Sequence, residues 1–378
     1  MSDALKKYQE GIEQDAIKAK ELSKKKEALQ EKRLFVDTYK YEQEYQKIVK
    51  NEEDIAKSKN ANVGIMTDEE ITSIVEENEG YFRGTKSSMM FMNECFKDHV
   101  SCWPGNIILC GGISGKGKST AVANLVLSTI KQKNPTTGSN RKVLVISPEE
   151  RPSQVYARLT CLYKGYNFNK QNEFNEDQVL ELSKYIEIWA KKGVTVIGED
   201  KHNRTTSVEG IRSIMENLVK TDTVYDMVIL DYAQKVNISK KNPNMKQDLI
   251  MLEMISMFDY YKNFYPGVFV VMSQLWPNDH EGTKSFEERI KGCKTLITPC
   301  TVALEIVADK ENLMTKWIVH KNRFLPSFEG GTIKTGFDRG HFIPYTDQFK
   351  KMVNSKNDAK ERNGLEALIA EPKPETKE

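Results

Sequence analysis

Gly112-Ile113-Ser114-Gly115-Lys116-Gly117-Lys118-Ser119, followed by Thr120, is a run suited to holding a phosphate chain. It fits the spacing G-x-x-x-x-G-K-[ST], in which glycines let the backbone wrap its N–H groups around phosphate oxygens. The lysine, Lys118, can reach β- and γ-phosphates, and the Ser119 hydroxyl can hold Mg2+. A second carboxylate-bearing element should complete the ion's surroundings. Met227-Val-Ile-Leu-Asp231 supplies one, four apolar residues ending in Asp231. Hydrolysis also needs a group that orients or deprotonates water beside the γ-phosphate. Lys142–Ser147 runs into Pro148-Glu149-Glu150, and Glu149 is the candidate base with Glu150 as its rival. Val268–Met272 runs into Ser273-Gln274, whose amide could sense the γ-phosphate. The plainer alternatives are a glycine-rich turn, a strand-capping aspartate and a solvated acidic turn.

These groups need elements to position them. Ile107–Cys110, Val143–Ile146, Val194–Ile197, Met227–Leu230 and Val268–Met272 are short continuous apolar runs, the signature of parallel strands buried on both faces. Helices are predicted between them near 119–132, 153–164, 176–191, 207–220 and 246–263, with Pro152 and Thr206-x-x-Glu209 as start signals. Further strands near 301–308, 315–321 and 331–337 complete a mixed sheet. The fold class is therefore α/β, a mostly parallel sheet flanked by helices. The phosphate loop follows a strand and opens a helix whose N-terminus carries partial positive charge. The strand ending at Ser147 is expected to place Glu149 beside that loop.

The rest of the chain sets limits. Its 378 residues allow two or three domains, and 39% hydrophobic content with 22 glycines is enough for a core. No apolar run reaches the ~18 residues of a membrane span, and Met1 leads into Lys- and Glu-rich sequence rather than a signal peptide, so a cytoplasmic protein without a membrane partner is expected. A net charge of +2 excludes a strongly basic, salt-driven duplex binder but leaves room for a locally basic channel. The 6 cysteines show no metal-type or redox-type spacing and read as free thiols. Residues 1–80 form a charged helical arm and linker, with an apolar stripe Leu5, Tyr8, Ile12, Ala16, Ala19, Leu22, Leu29 and Val36, and with Thr67-x-x-Glu70 as a capping box. Residues 81–350 form the nucleotide-binding core, and 351–378 a disordered polar tail.

Gly112–Ser119, Ser147-Pro-Glu149, Leu230-Asp-Tyr-Ala-Gln234, Ser273-Gln-Leu275 and Lys321-Asn-Arg323 occur here in an order that resembles the RecA-like ATPase domain of DnaB-type replicative helicases, including phage-encoded ones. The resemblance runs over roughly residues 85–346. Pro148 and Ala233 stand where the family typically has leucine. It implies a RecA-like P-loop NTPase core, ATP with Mg2+, and an arginine finger, Arg323 helped by Lys321, reaching the γ-phosphate on a neighbouring subunit. It further implies a ring, typically a hexamer, moving 5′-to-3′ on single-stranded DNA. The family's globular N-terminal domain, which meets primase, has only the charged arm of residues 1–80 in its place. A primase, a loader or another replisome protein is the partner that arm would take.

In such a ring the loops after Asp231 and Gln274 face the channel. Lys235, Lys240, Lys241 and Lys246 lie in the first, and Lys284, Arg289 and Lys291 in the second. Lysines and arginines suit sequence-independent backbone binding. Trp276 could stack on a base, but an aromatic directly after a buried strand is expected to pack instead. Two other functions share most of these features: a RecA-like recombination ATPase that coats DNA as a filament, and a helicase-derived binding or regulatory module that does not unwind.

Overall fold

The structure, a computed structural model, describes Glu21, Thr72 and residues 89–97, 99–135, 137–198, 206–236, 245–263, 265–278, 282–323 and 331–355. The chain divides into two units, Met1–Gly80 and Tyr81–Glu378. The stripe from Leu5 to Val36, the Thr67 capping box and everything after Ser355 lie outside the described residues.

A short antiparallel pair, β1 (Met89–Met90) and β2 (Ser101–Cys102), precedes the main sheet. That sheet is built from β3 (Ile107–Gly112), β4 (Val143–Ser147), β5 (Val194–Gly198), β6 (Met227–Leu230), β7 (Val268–Gln274), β8 (Val302–Asp309), β9 (Met314–Asn322), β10 (Thr332–Asp338) and β11 (His341–Pro344). The spatial order is β11-β10-β9-β8-β3-β7-β6-β4-β5. Strands β8, β3, β7, β6, β4 and β5 run parallel, and β9, β10 and β11 extend the sheet as an antiparallel wing. The fold is the mostly parallel mixed sheet flanked by helices that the apolar runs anticipate.

Alternation along each strand builds two cores. Ile108 and Cys110 of β3 pack with Val122, Leu125 and Val126 of the 118–131 helix and with Leu159 and Trp189 of the helices beyond β4. Ile107 and Leu109 point the other way, to Ile211 and Met215 of the 208–220 helix and Met254 and Phe258 of the 247–261 helix. Every residue of β3 is buried, so the strand that feeds the phosphate loop is clamped on both faces. Trp189 is fully buried and its indole N–H donates to Thr160 Oγ1 at 2.9 Å. That satisfies the one polar atom of this large side chain, one of two fully buried tryptophans in this core.

Several expectations shift. The 208–220 helix is capped by Ser207, whose hydroxyl accepts from Gly210 N, one residue later than the Thr206 start signal suggests. Strand β11 has no counterpart among the predicted elements. A helix over 347–355 crosses the expected start of the tail at 351, because Phe349 and Val353 are both buried. Gly336 of β10 makes room for it: a Cβ there would lie 2.8 Å from the Phe349 ring. All 6 cysteines are free thiols, five of them buried.

Candidate functional site

The loop after β3 takes its shape from glycine. Gly115 and Gly117 have φ of 72° and 94°, left-handed values that side chains with a Cβ rarely adopt. Gly117 is also the N-cap of the 118–131 helix, whose first turn holds no acidic residue to compete for its free N–H groups. Lys118 is buried, and its ammonium donates to Gly112 O at 3.0 Å and Ile113 O at 3.1 Å. Burial lowers its pKa, against the charges of Asp231 and Glu149 nearby. The lysine is thus folded back onto its own loop, where an incoming phosphate can replace the two carbonyls.

Asp231 follows β6, is 5% exposed, and lines a small recess together with Ser119. Its Oδ1 is buried and meets no hydrogen-bond partner among the described residues. An orphaned carboxylate oxygen beside a serine hydroxyl is a donor set that suits a hard divalent cation. The carboxyl is pushed up to about 6, first by burial and then by the charge of Glu150, against the Ser119 hydroxyl and the charges of Arg158 and Lys118. The sign follows from comparison with an exposed aspartate, near 3.9. The folded chain binds this proton more tightly than the unfolded chain. The associated stability is present below about pH 4 and is lost as pH rises through about 6. At pH 7.5 the ionised Asp231 is therefore a liability in the nucleotide-free protein. Asp231→Asn should raise the unfolding free energy at pH 7.5, by up to about 3 kcal/mol, with the gain vanishing toward pH 4. Thermal melts across pH check this, and an asparagine variant less stable than the parent at pH 7.5 would contradict it.

The two glutamates after β4 separate cleanly. Glu150 forms a two-pronged ion pair with Arg158, with the Nη2–Oε1 contact at 2.6 Å. Glu149 is exposed on the cleft, which Tyr232 also lines, and lies close enough to Lys118 to act on its charge. Their strand is not the neighbour of the phosphate-loop strand, because β7 and β6 lie between β4 and β3. Glu149 reaches the cleft all the same, across the mouth of the 118–131 helix.

The phosphate loop and Glu149 border one cleft of 930 Å³, lined by Ser114–Thr120, Glu149, Arg158, Tyr232 and Gln274, while Asp231 and Glu150 lie behind it around Ser119 and Arg158. Its far wall comes from the antiparallel wing: the β8–β9 turn with Lys310, Leu313 and Met314, and the β10–β11 turn with Phe337, Arg339 and Gly340. Asn124 of the phosphate helix holds that second turn, donating to Gly340 O at 2.8 Å and accepting from Phe342 N at 3.2 Å. Phosphate-binding backbone on one side and a mixed apolar and cationic wall on the other make a cleft with the chemistry of a nucleotide.

Lys321 and Arg323 are not in it. Lys321 Nζ donates to Ile297 O and Thr298 O, both at 2.9 Å, and Arg323 Nη2 to Thr298 O at 2.9 Å. Arg323 N pairs with Thr301 O, and Thr301 N with Ile107 O, which puts the arginine level with the start of β3. Gly112 is at the other end of that strand, five residues away, or about 16 Å along the sheet.

The loop cations divide too. Lys235, Lys246 and Lys284 are exposed, and Lys291 is half-buried. Lys240 and Lys241 lie outside the described residues. Arg289 is 7% exposed and pairs with Glu305 at 2.7 Å, while His320 meets the other oxygen of Glu305 at 2.9 Å. This corrects the expectation of Arg289 as a DNA-facing cation: its charge is spent inside the fold. Trp276 goes the opposite way and is 51% exposed rather than packed.

Two positioning residues, Arg158 and Gln234, and one cleft neighbour of Glu149, Tyr232, carry no signal of their own in the sequence. Arg158 restrains Glu150. Gln234 donates through Nε2 to Ser273 Oγ, Gln274 O and Lys291 O, and accepts from Gln274 N, which fixes the backbone on both sides of the β7 end. Only the run Asp231-Tyr-Ala-Gln234 pointed toward two of them.

Residues 97–275 match the model of a family described as an AAA domain. That stretch contains β3 through β7 and ends at Leu275, so the wing with Lys321 and Arg323 lies beyond it. A comparison with curated proteins finds no match. Among solved structures, one described as an ATPase domain is 14% identical, with a TM-score of 0.58 over 74% of this chain and 100% of that one. A DnaB-like replicative helicase, described with its interactions with primase, is 14% identical, with a TM-score of 0.62 over 92% of this chain and 80% of that one. At such identities the likeness is one of fold. No helix among the described residues is long and apolar enough to cross a membrane.

Proposed function

We propose that this protein is an ATP- and Mg2+-dependent replicative DNA helicase of the cytosol, which forms a ring, a hexamer, and moves 5′-to-3′ on single-stranded DNA. The observation that carries the reading is the division of the catalytic set between two ends of one sheet. The phosphate loop, Glu149 and Gln274 border one cleft at one end, with Asp231 buried behind Ser119, and Lys321 and Arg323 stand at the other. A site that needs both ends is complete only when one subunit presents its far end to the next. Heterologous contacts of that kind close into rings or open into filaments.

Within the cleft, backbone N–H groups of Ser114–Ser119 and the Lys118 ammonium would hold the β- and γ-phosphates. Ser119 and the free Oδ1 of Asp231 would hold Mg2+, which when bound neutralises charge between the two phosphates. Glu149, which faces the cleft, would take the proton of a water attacking the γ-phosphorus. Gln274 would detect whether the γ-phosphate is there. Lys235, Lys240, Lys241, Lys246, Lys284 and Lys291 would track the DNA backbone in the channel, and residues 1–80 would engage a primase, a loader or another replisome protein.

Phosphate release measured with and without single-stranded DNA, together with negative-stain microscopy and unwinding of a forked duplex, tests this. The expected result is DNA-stimulated hydrolysis by closed rings that unwind the fork. Helical filaments would indicate instead a recombination ATPase, and assemblies without DNA-stimulated turnover a regulatory module.

A further inference from the structure

Trp276 is out of place for a residue that serves the fold. Of the 4 tryptophans, Trp189 and Trp317 are fully buried and Trp103 is half-buried, whereas Trp276 is 51% exposed. Half-exposed, it forgoes much of the apolar burial that a tryptophan usually contributes. Its backbone, in contrast, is held firmly. Trp276 N donates to Arg289 O at 2.7 Å, and Arg289 Nε donates back to Trp276 O at 3.2 Å. Arg289 is itself locked by the buried Glu305, and Leu275 bridges Ile290. The ammonium of Lys291 lies 4.6 Å from the indole centroid, within cation–π range.

We propose that Trp276 is a stacking platform for one base of single-stranded DNA, with Lys291 set to meet the adjoining phosphate. This rests on the function proposed above and adds a residue and a mode of contact to it. An indole face accepts any base, so the contact suits a motor that cannot depend on sequence. A rigid backbone under an exposed ring keeps the ordering cost of binding low.

The platform is also wired to the nucleotide cleft. Trp276 is two residues past Gln274, which borders the cleft. Lys291 N donates to Gln274 O at 3.0 Å, and the Gln234 amide grips both Gln274 O and Lys291 O. A shift of Gln274 on loss of the γ-phosphate would therefore move both members of the platform together.

The test compares labelled oligo-dT with an abasic oligonucleotide of equal length, by anisotropy, on the full chain. Trp276→Ala should weaken dT binding by about 5–100-fold and leave abasic binding unchanged. Trp276→Phe should recover most of the loss, because a phenyl ring still stacks. Since Trp276 is the tryptophan that solvent reaches most, dT should quench the intrinsic emission of the parent protein but not that of Trp276→Phe. Equal dT affinity in Trp276→Ala, parallel loss of dT and abasic binding, or dT binding without quenching would each overturn the platform while leaving the helicase reading intact. Failure of the parent protein to bind either oligonucleotide would overturn both.

Discussion

Lys118→Ala should reduce ATP turnover by at least about 10^2–10^3-fold, with or without DNA, while the protein stays folded. The loss follows from what the ammonium does. Charge builds on the γ-phosphoryl oxygens in the transition state, and a positioned cation in a site partly closed to water stabilises that charge without reorganising. The survival of the fold follows from what the ammonium does when no nucleotide is bound. Among the described residues it donates to Gly112 O and Ile113 O of its own loop, and burial disfavours its charge. Alanine removes a desolvated cation and leaves two carbonyls that water can reach through the open cleft. The unfolding midpoint should hold or rise slightly, which separates a catalytic defect from a folding one. Steady-state phosphate release and a thermal melt on the same preparation decide it. Near-normal hydrolysis would sink the phosphate-loop assignment.

The parts of this site that sequence revealed are those whose cause is local. A continuous apolar run, a glycine-rich turn and a helix start are adjacent in the chain, so β3, its loop and the 118–131 helix could be read together. Asp231 was legible for the same reason, as the first polar residue after four buried ones. What stayed hidden depends on partners far along the chain. Arg289 looks like any loop cation until Glu305 of β8 closes on it, and the same guanidinium also holds the Trp276 carbonyl. Strand order is likewise absent from local pattern. Nothing in Val143–Ser147 says that β7 and β6 will intervene before β3. The 347–355 helix was lost because two apolar residues, Phe349 and Val353, carry all its burial within a polar stretch, and the notch that receives one of them is Gly336. The choice between Glu149 and Glu150 required Arg158, a helix away, to occupy one of them.

Arg323→Ala should lower turnover by about 10^3–10^5-fold while nucleotide binding persists, the range typical of an arginine finger. The geometry within one chain makes this a demanding prediction. Arg323 lies level with the first residue of β3, about 16 Å along the sheet from Gly112, and its guanidinium is anchored on Thr298 O. No rotamer of that side chain brings it to its own cleft, so an arginine that matters for hydrolysis must serve a neighbour. Lys321 shares the strand face and the same carbonyl, which holds the two cations side by side at the subunit's edge. Loss in cis and loss in trans are then separable by mixing. In assemblies of Arg323→Ala and Lys118→Ala chains at equal amounts, about a quarter of head-to-tail interfaces pair an intact phosphate loop with an intact finger. Turnover should reappear on mixing two inactive proteins and peak near equal ratio. Exchange of differently labelled subunits, followed by energy transfer, confirms that mixed assemblies form. Mixed assemblies with no recovered hydrolysis would remove Arg323 from the site and leave the cleft to work with the residues of one chain.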